Sequence, residues 1–575
     1  MSSRNGPIHV AKIVRRYRDK QYVTYLLRRS YRDGKKVLHE TLGNISHLPD
    51  RLIDIIRRSL QGEEFVSAGE AFRTTRSLPH GHVEAVLKMA RELEMDKLIA
   101  GKRCPERDLV MAMIVQRILF PCSKLAATRD WHTTTLAEEL GVEDANVDAL
   151  YSAMDWLLSR QKSIERKLAQ RHLTEGGLVL YDVSSSYYTG RTCSLARRGH
   201  DRDGKKGYPI IVYGLLTDAE GRPVAVEVYP GNTGDPTTVP DQVEKLRVRF
   251  GLLRVVLVGD RGMLTETQID SLKAHPGLGW ISALRSRGIR QLIDKGTLDR
   301  SLFDEVDLAE IYSPDFPGER LVACYNPLLA EQRSRCREEL LLATEKELRK
   351  LARQVARRTK KPMGKKEIAL AVGKFINRFK VAKHFRLTIE DGNFAWSRDQ
   401  VSIDRETQLD GIYVIRTSEP EKRLSAEDSV RNYKRLTNVE QAFRSLKSQL
   451  EVRPIRHRID GRVRAHILIC LLAYYLQWHL KRAWAPLLFE EEDLENDRRC
   501  RDPVAPAEPS PEAKRKKATR QTIHHLPVHG LDTLLKELGT RCRNTHVLAS
   551  DASHSFQQVT EMNPLQAEAF KLLDL

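Results

Sequence analysis

The stretch Gly177-Leu-Val-Leu-Tyr-Asp182 decides the predicted fold. A short apolar run of this length, opened by glycine and rich in Leu, Val and Tyr, is typical of a buried β-strand. The segment Leu253–Val258 has the same character and is followed by Gly259 and Asp260. We therefore predict two buried strands that each end at a carboxylate, and the two carboxylates converge if the strands are neighbours.

Five further elements complete the predicted core. Turn residues such as Gly221 and Pro223 separate apolar runs, and apolar residues recur at helical spacing between Asp235 and Phe250. The order is strand, strand, strand, helix, strand, a second helix and strand, which is the topology of a ribonuclease-H-like core. The predicted ranges are 177–181, 208–216 and 224–229 for the first three strands, 235–250 for the helix, and 253–258 and 280–284 for the last two strands.

A third carboxylate is predicted on a helix that spans residues 427–450. Positions seven apart lie on nearly the same face of an α-helix, so Tyr433, Glu440 and Lys447 line up, with Arg444 about 40° away. An acid beside bases suits a metal ligand next to a phosphate backbone. The same spacing also fits a ladder of exposed ion pairs. The adjoining apolar stripe, which would pack on the sheet, consists of Val439, Phe443, Leu446 and Leu450.

The composition points to a soluble protein with a polyanionic partner. The 575 residues are 41% hydrophobic and 30% charged, enough for three or four domains, and the formal net charge is +19. Such a surplus favours nucleic acid or an anionic membrane surface. The longest apolar stretch, Ile467–Leu476, is half the roughly 20 residues that span a bilayer, so we expect no membrane association. The eight cysteines are scattered, which argues against disulfides and favours the cytoplasm.

Outside the core, composition shifts divide the chain. The sequence Arg32-Asp33-Gly34-Lys35 predicts a basic hairpin, which is either a DNA-contacting arm or a solvated, charged hairpin. A helical region precedes the α/β core, and a mixed α/β insertion interrupts it. The predicted divisions are 1–62 for the basic element, 80–172 for the helical region, 173–285 with 426–485 for the core, 286–425 for the insertion, 500–520 for a flexible Pro-rich linker and 521–575 for a tail.

Four segments together resemble a known family. They are Leu180–Tyr187, Gly231–Asp235, Val258–Met263 and Tyr433–Lys447. The chain resembles bacterial insertion-sequence transposases of the Asp-Asp-Glu (DDE) type, and more narrowly the branch with Tyr-x2-Arg-x3-Glu-x6-Lys around its glutamate. The resemblance covers most of residues 170–480.

The resemblance implies an activity and a site. Asp182, Asp260 and Glu440 are implied to be catalytic and to hold Mg²⁺ or Mn²⁺, with two ions expected. Metal-dependent cleavage and strand transfer at inverted-repeat ends is the implied reaction. The implied partner is double-stranded DNA, both transposon ends and target, bound by a homodimer in a bacterial cytoplasm at the nucleoid. Tyr433 and Lys447 are implied to contact the DNA.

One position departs from the branch signature. Leu436 stands where the signature has Arg, so Lys434, Arg435 or Arg444 has to supply a phosphate contact, or this copy is weakened. Arg261, next to the second aspartate, fits a phosphate contact and equally a surface ion pair. The charged loop 197–206 either touches DNA or is solvated. Two alternatives stay open: a structure-specific nuclease on the same fold, and a catalytically inactive, transposase-derived DNA-binding protein.

Overall fold

The computed structural model describes residues 6–65, 71–548 and 553–574. The chain divides into two compact units. The first unit contains Met1–Leu78 and Arg543–Thr560, and the second contains Pro79–Cys542 and Glu561–Leu575. Residues near the C-terminus therefore contribute to both units.

The first unit begins with an antiparallel sheet of three strands, β1 (Ile8–Tyr17), β2 (Lys20–Asp33) and β3 (Lys36–Asn44). The predicted hairpin joins β2 to β3 through Gly34. Gly34 has a φ of +60°, the left-handed region that glycine adopts without steric cost. Strand β1 has no counterpart in the sequence prediction, because its Lys and Arg residues obscure the alternation of apolar side chains.

A helix and a second small sheet complete this unit. Helix α1 (Asp50–Leu60) follows β3, and strand β4 (Phe72–Pro79) comes next. Two strands from the other end of the chain, β15 (Cys542–Leu548) and β16 (Ser555–Val559), form a sheet with β4 in the order β16-β15-β4. This sheet therefore needs residues from both ends of the chain.

Residues 81–172 of the second unit are helical. The ends are set by local signals, since Ser123 and Asn146 each cap a helix by accepting a backbone N–H, from Ala126 at 3.2 Å and from Ala149 at 2.9 Å. The helices are α2 (Gly81–Glu92), α3 (Met95–Ile99), α4 (Pro105–Leu119), α5 (Lys124–Asp130), α6 (Leu136–Leu140), α7 (Val147–Ser159) and α8 (Gln161–His172).

An eight-stranded mixed sheet forms the centre of the second unit, in the order β10-β11-β14-β9-β8-β5-β6-β7. Strands β5, β6 and β7 form an antiparallel meander, whereas β8 and β9 run parallel to β5. The strands are β5 (Leu178–Tyr187), β6 (Ile210–Asp218), β7 (Pro223–Pro230), β8 (Val255–Gly259), β9 (Leu278–Ala283), β10 (Leu308–Ile311), β11 (Arg320–Tyr325) and β14 (Ile412–Thr417).

The parallel ladder between β5 and β8 sets the position of two predicted site residues. The prediction that the first strand ends at Asp182 is wrong, because β6 pairs with β5 as far as Tyr187. The pairing of β5 with β8 nevertheless stops at Tyr181 and Gly259. Asp182 and Asp260 are the next residues on these two neighbouring strands, so the ladder ends where the carboxylates begin.

Short helices connect the strands of the sheet. The predicted helix 235–250 is regular only over α9 (Val239–Glu244), with a tight turn before it and a wider π-type turn at Lys245–Arg249. Helices α10 (Glu266–Lys273) and α11 (Ser286–Asp294) follow β8 and β9. All three helices bury apolar residues, among them Val243, Ile269 and Ile289, and the sequence periodicity predicted such a face only for 235–250.

The predicted insertion is not separate from the sheet. Strands β10, β11 and β14 all fall within 286–425, yet β14 pairs with β9 and so extends the central sheet. An unpaired edge of β9 would leave backbone N–H and C=O groups without partners, and β14 supplies those partners. The part that leaves the sheet runs from Asn326 to Gly411, and the two ends are joined by a hydrogen bond from Asn326 N to Gly411 O at 3.0 Å.

The excursion between those two residues has its own apolar core. Its longest element is α12 (Pro327–Arg357), and Leu341, Leu348 and Phe385 are among its buried residues. The remaining elements are α13 (Lys365–Gly373), β12 (Phe385–Glu390), β13 (Asn393–Arg398) and α14 (Gln400–Thr407). The excursion is therefore a mixed α/β subdomain inserted between the antiparallel strands β11 and β14.

The predicted helix 427–450 is divided in two. Helix α15 (Ala426–Lys434) and helix α16 (Leu436–Ser448) meet at Arg435. At the junction, the N–H of Asn438 bonds to the carbonyl of Arg435 at 2.8 Å, a tighter i→i+3 turn. Tyr433 and Glu440 therefore lie on different helices, and heptad spacing alone does not relate their directions.

The C-terminal part of the second unit packs on its core. Helix α17 (Asp460–Ala483) is almost wholly buried. Among the described residues, no single helix is long and apolar enough to cross a membrane. Two consecutive helices, Pro105–Leu119 and Lys124–Thr133, reach that length and apolar content only in combination, and they are bent by 88° relative to one another. The remaining helices are α18 (Leu494–Cys500), α19 (Pro511–Thr519), α20 (Leu531–Gly539) and α21 (Pro564–Lys571).

The predicted flexible linker, 500–520, is instead structured. Ser510 caps α19, and Lys516 is 1% exposed. Its ammonium donates to the carbonyls of Ala485 at 2.9 Å and Glu490 at 2.7 Å and pairs with Glu492. The proline-rich composition is a weaker determinant here than these buried hydrogen bonds.

Candidate active site

Asp182 lies on β5 beside the end of the parallel ladder, in a half-buried position. Its Oδ1 accepts the N–H of Val183 at 2.7 Å. Burial is the main cause that raises the pKa of Asp182 to about 7, and the nearby carboxylates of Asp260 and Glu440 add to the rise. Like charges thus act on this group from both of the other predicted site acids.

Asp260 opens the turn after β8 and is exposed. Its backbone carbonyl accepts the N–H groups of Met263 and Leu264, which fixes the turn. Its carboxylate accepts the hydroxyl of Tyr433 at 3.3 Å. Burial and the charge of Asp260 raise the pKa of Tyr433, so this hydroxyl stays protonated and remains a donor. Tyr433 therefore contacts a predicted metal ligand.

Glu440 projects from α16, which packs on β5. Its neighbours Val439 and Phe443 are buried, and Phe443 lies against Tyr213 of β6 with ring centroids 5.8 Å apart. These contacts hold the helix on the sheet and leave Glu440 exposed, and its charge is one of the causes that raise the pKa of Asp182.

The chemistry of this donor set fits a hard divalent cation. Among the described residues, none of the three carboxylates has an ion pair with Lys or Arg, although the chain has 96 of these residues. Carboxylate oxygens are the ligands that Mg²⁺ takes from proteins. Within the described ranges, however, no group of three His, Cys, Asp or Glu side chains is arranged closely enough to hold an ion. Asp260 and Glu440 therefore act on the pKa of Asp182 without forming a closed cage with it.

A buried ion-pair network borders the three acids, and sequence reasoning missed it. Asp203, in the loop between β5 and β6, has a side chain only 1% exposed. It pairs with Lys447 at 2.9 Å and with Arg453, and it accepts the N–H of Tyr187 at 3.0 Å. Burial opposes ionisation, and these partners outweigh it, so the pKa of Asp203 is lowered.

The comparison with protein families now bears on this geometry. The family model described as Transposase DDE domain matches residues 177–476, which contain all three acids and more than half of the chain. The chain belongs to this family. It is a DNA transposase of the insertion-sequence type, since a second model, the N-terminal domain of IS1634 family transposases, matches residues 10–71.

Two further comparisons add little. No curated protein matches the transposase. A solved structure, the piggyBac transposase synaptic complex with hairpin DNA, aligns over 76% of this chain and 86% of that chain, with 11% identity and a TM-score of 0.27. A TM-score that low supports no conclusion about the fold of this transposase.

The basic residues predicted to contact DNA differ in their availability. Lys447 is bound to Asp203, Lys434 donates to the carbonyls of Val504 and Ala505, and Arg435 pairs with Glu495. Arg444 and Arg261 are exposed, and in the described part of the chain their side chains have no ion pair within 4.0 Å. Leu436 is 8% exposed, so it is a core residue at the helix junction. Of the three residues considered as substitutes for the signature Arg, Arg444 is the one whose head group is available to a phosphate.

A pocket of about 260 Å³ adjoins Asp260. It is lined by Arg261, Tyr433 and, from the first turns of α12, Arg333. The Arg333 guanidinium donates to the carbonyl of Leu409 at 3.1 Å, and burial lowers its pKa. Arg333 comes from the insertion, and no sequence signal near it points to the site.

Proposed function

We propose that the transposase cleaves DNA at the inverted-repeat ends of its insertion sequence and transfers the freed 3′ ends, with Asp182, Asp260 and Glu440 as metal ligands on a ribonuclease-H-like core. One observation carries the proposal. The two aspartates follow the last paired residues of the β5–β8 ladder, the charges of Asp260 and Glu440 act on Asp182, and none of the three acids has an ion pair with Lys or Arg among the described residues.

Two Mg²⁺ or Mn²⁺ ions would supply charge stabilisation of the attacking and leaving oxygens in phosphoryl transfer. The chain's own residues have separate tasks. Asp182 has to give up its proton, because a neutral carboxyl is a poor ligand. Tyr433 orients the Asp260 carboxylate through its hydroxyl, and α16, which packs on β5, carries Glu440.

The exposed side chains of Arg444 and Arg261 are the proposed phosphate contacts beside the acids. We also assign the transposase to the branch with the Tyr-x2-Arg-x3-Glu-x6-Lys signature, although Leu436 replaces the signature Arg. The other predicted DNA contacts already have protein partners, so DNA can bind them only by displacing those partners. They are Tyr433, Lys434, Arg435 and Lys447. We further propose that two copies hold two ends together on DNA, in the cytoplasm at the nucleoid.

The decisive experiment uses the inverted repeats that flank the gene. A plasmid carrying both repeats is incubated with the purified protein and Mg²⁺, and the products are mapped. We expect cuts at the repeat ends with the wild type and with Asp270→Asn, an exposed carboxylate on α10 that serves as the control. Asp182→Asn, Asp260→Asn and Glu440→Gln are expected to lose cleavage by at least 100-fold while keeping DNA binding.

Full cleavage by any of the three variants contradicts the assigned site. A pre-cut substrate with a free 3′ hydroxyl separates the alternatives. Joining to target DNA identifies a transposase, whereas cleavage without joining identifies a structure-specific nuclease. Specific binding without cleavage by the wild type identifies a catalytically inactive DNA-binding protein, for which Leu436 is the first residue to examine.

A further inference from the structure

A second basic site lies in the helical region, away from the three acids in sequence. Four helices line a pocket of about 110 Å³ that is open to solvent. At roughly 30 Å³ per water molecule, this volume holds several waters or one tetrahedral anion. Arg117 of α4, Lys124 of α5, Tyr151 of α7 and His466 of α17 contribute to its wall.

Lys124 is the unusual residue of this pocket. It is 5% exposed, and in the described part of the chain its ammonium has neither a hydrogen bond nor an ion pair. Burial, with a smaller contribution from the Arg117 guanidinium, lowers the pKa of Lys124 to about 7. The Lys124 side chain is buried, but its ammonium nitrogen is not fully sealed from solvent, so a group in the pocket can reach it.

The other polar groups of the pocket are also mainly basic. Arg117 is 5% exposed and donates one N–H to the carbonyl of Cys122 at 3.0 Å, while its Nε has no partner within the described ranges. Arg456 is exposed at the same pocket. The acidic residue among the lining side chains is Glu451, which is exposed and does not pair with Lys124.

Two histidines also line the pocket, and the Nδ1 of His466 is an acceptor because its neutral ring donates through Nε2. His466 is 4% exposed; its Nε2 bonds to the carbonyl of Val452 at 3.0 Å, and its Nδ1 has no partner in the described residues. His457 lines the pocket as well, and burial lowers its pKa to about 4. Three basic side chains, Arg117, Lys124 and Arg456, and two neutral imidazoles thus line a space in which no described carboxylate contacts Lys124.

The pocket is physically connected to the proposed catalytic region. The segment that follows α16 supplies both Arg453, which pairs with Asp203, and His457, whose carbonyl accepts the hydroxyl of Tyr188 at 3.3 Å. Tyr188 directly follows β5, the strand of Asp182. A chain of contacts therefore leads from the catalytic strand to the pocket along one segment.

We propose that this pocket binds a phosphate group, and that in the working enzyme the group is a backbone phosphodiester of the DNA beyond the cleaved end. The proposal rests on the proposed function for the source of the phosphate and on the unpartnered Lys124 for its chemistry. A tetrahedral anion satisfies the ammonium, the free Arg117 Nε–H and the Arg456 guanidinium together.

The test compares Lys124→Met with Lys162→Met, which removes an equal charge from an exposed position on α8. Inorganic phosphate at millimolar concentration is expected to raise the Tm of the wild type and of K162M, in a saturable manner, and to leave K124M unchanged. K124M is expected to fold, because the change removes a buried charge that has no partner. Arg456→Gln, at an exposed position, is the second variant and is expected to weaken the phosphate response.

Binding to a DNA duplex distinguishes the two sources of the phosphate. If the group belongs to DNA, the slope of log K against log salt concentration is smaller by about 0.9 for K124M than for wild type, and unchanged for K162M. A phosphate response that depends on Lys124, without a change in the DNA slope, supports a free phosphate ligand. This outcome leaves the pocket assigned while removing its link to DNA.

An equal phosphate response in wild type, K124M and R456Q overturns the proposal. These measurements need no cleavage, so a failed cleavage assay contradicts the proposed function without affecting the pocket. Conversely, normal cleavage together with a Lys124-independent phosphate response contradicts the pocket alone.

Discussion

At the scale of single residues, the surroundings of Asp182 favour the protonated form of its carboxyl group. Burial and two like charges raise its pKa to about 7, so a large fraction of the group is protonated near neutral pH without metal. A metal ion and a proton therefore compete for the same oxygens, and pH decides how strongly.

Metal binding is expected to strengthen as pH rises from 6 to 8. The folded-state pKa of Asp182 is raised, so the proton is favoured below about pH 7 and released above it. Titration of Mn²⁺ at pH 6, 7 and 8 measures the affinity. Metal affinity that is independent of pH over this range contradicts the assignment of Asp182 as a ligand.

The same shift has a consequence for the metal-free protein. A carboxyl with a raised folded-state pKa adds stability below its unfolded pKa, and that stability is lost as pH rises through about 7. Asp182→Asn removes the titration, so the Tm of this variant is expected to exceed that of the wild type at pH 8 and to match it more closely at pH 5. Thermal melts with a chelator present make the comparison.

The network around Asp203 predicts a stability defect. Asp203→Asn leaves Lys447 and Arg453 without their carboxylate, and the expected loss is roughly 1 to 3 kcal/mol of unfolding free energy. Urea denaturation measures this loss. Asp304→Asn, at an exposed position without an ion pair in the described residues, is the control and is expected to change stability by less than about 0.5 kcal/mol.

Replacing Leu436 by the signature arginine is expected to destabilise the protein without increasing cleavage. Restoring the signature arginine by Leu436→Arg places a cation at a position that is 8% exposed at the helix junction. We expect a loss of roughly 1 to 3 kcal/mol in stability and no gain in cleavage. A variant that cleaves faster while staying folded indicates that Leu436 is a damaged DNA contact.

At the scale of elements, the central sheet shows what the sequence can predict. The strands around Asp182 and Asp260 were accessible because buried runs, turns and charged ends are local signals. The continuation of β5 to Tyr187 was not, because it depends on pairing with β6. The break at Arg435 was not either, since Leu436 continues the apolar pattern and the turn is set by packing.

The same limit applies to the candidate site. The three acids and Tyr433 are found in motifs, so sequence reasoning reaches them. Asp203 and Arg333 are not, because one is a charged loop residue that becomes buried and the other enters from a distant helix. Their contribution depends on tertiary contacts that no short motif encodes.

The hairpin that carries the inserted subdomain predicts a deletion that preserves the sheet. The N–H of Asn326 bonds to the carbonyl of Gly411, so an Asn-Gly turn can replace residues 327–410 and join β11 to β14. The shortened protein is expected to fold cooperatively, as measured by circular dichroism during thermal unfolding. Cleavage is expected to fall, because Arg333 no longer lines the pocket beside Asp260.

At the scale of the whole molecule, charge is concentrated at the N-terminus. Residues 1–40 contain eleven Lys and Arg but three Asp and Glu, and most of them lie on β1, β2 and the turn that follows. The net charge of +19 predicts DNA binding that weakens steeply with salt. A surface of this kind binds DNA largely without regard to sequence.

Removal of residues 1–44 tests the contribution of this sheet. We expect the truncated protein to retain the folded second unit and to show a smaller salt slope in DNA binding, by about 0.9 for each DNA phosphate that the sheet neutralises. Fluorescence anisotropy with a labelled duplex at several salt concentrations measures the slope. An unchanged slope identifies the sheet as a solvated, charged hairpin and not a DNA-binding arm.

The pairing of β4 with β15 has a consequence for biosynthesis. The three carboxylates have all been translated by residue 440, whereas the sheet of β4 needs strands that end at Val559. A nascent or prematurely terminated chain can therefore carry all three proposed catalytic acids while its N-terminal unit is still incomplete. The sheet that contains β4 can therefore form only after β15 and β16 have been synthesised.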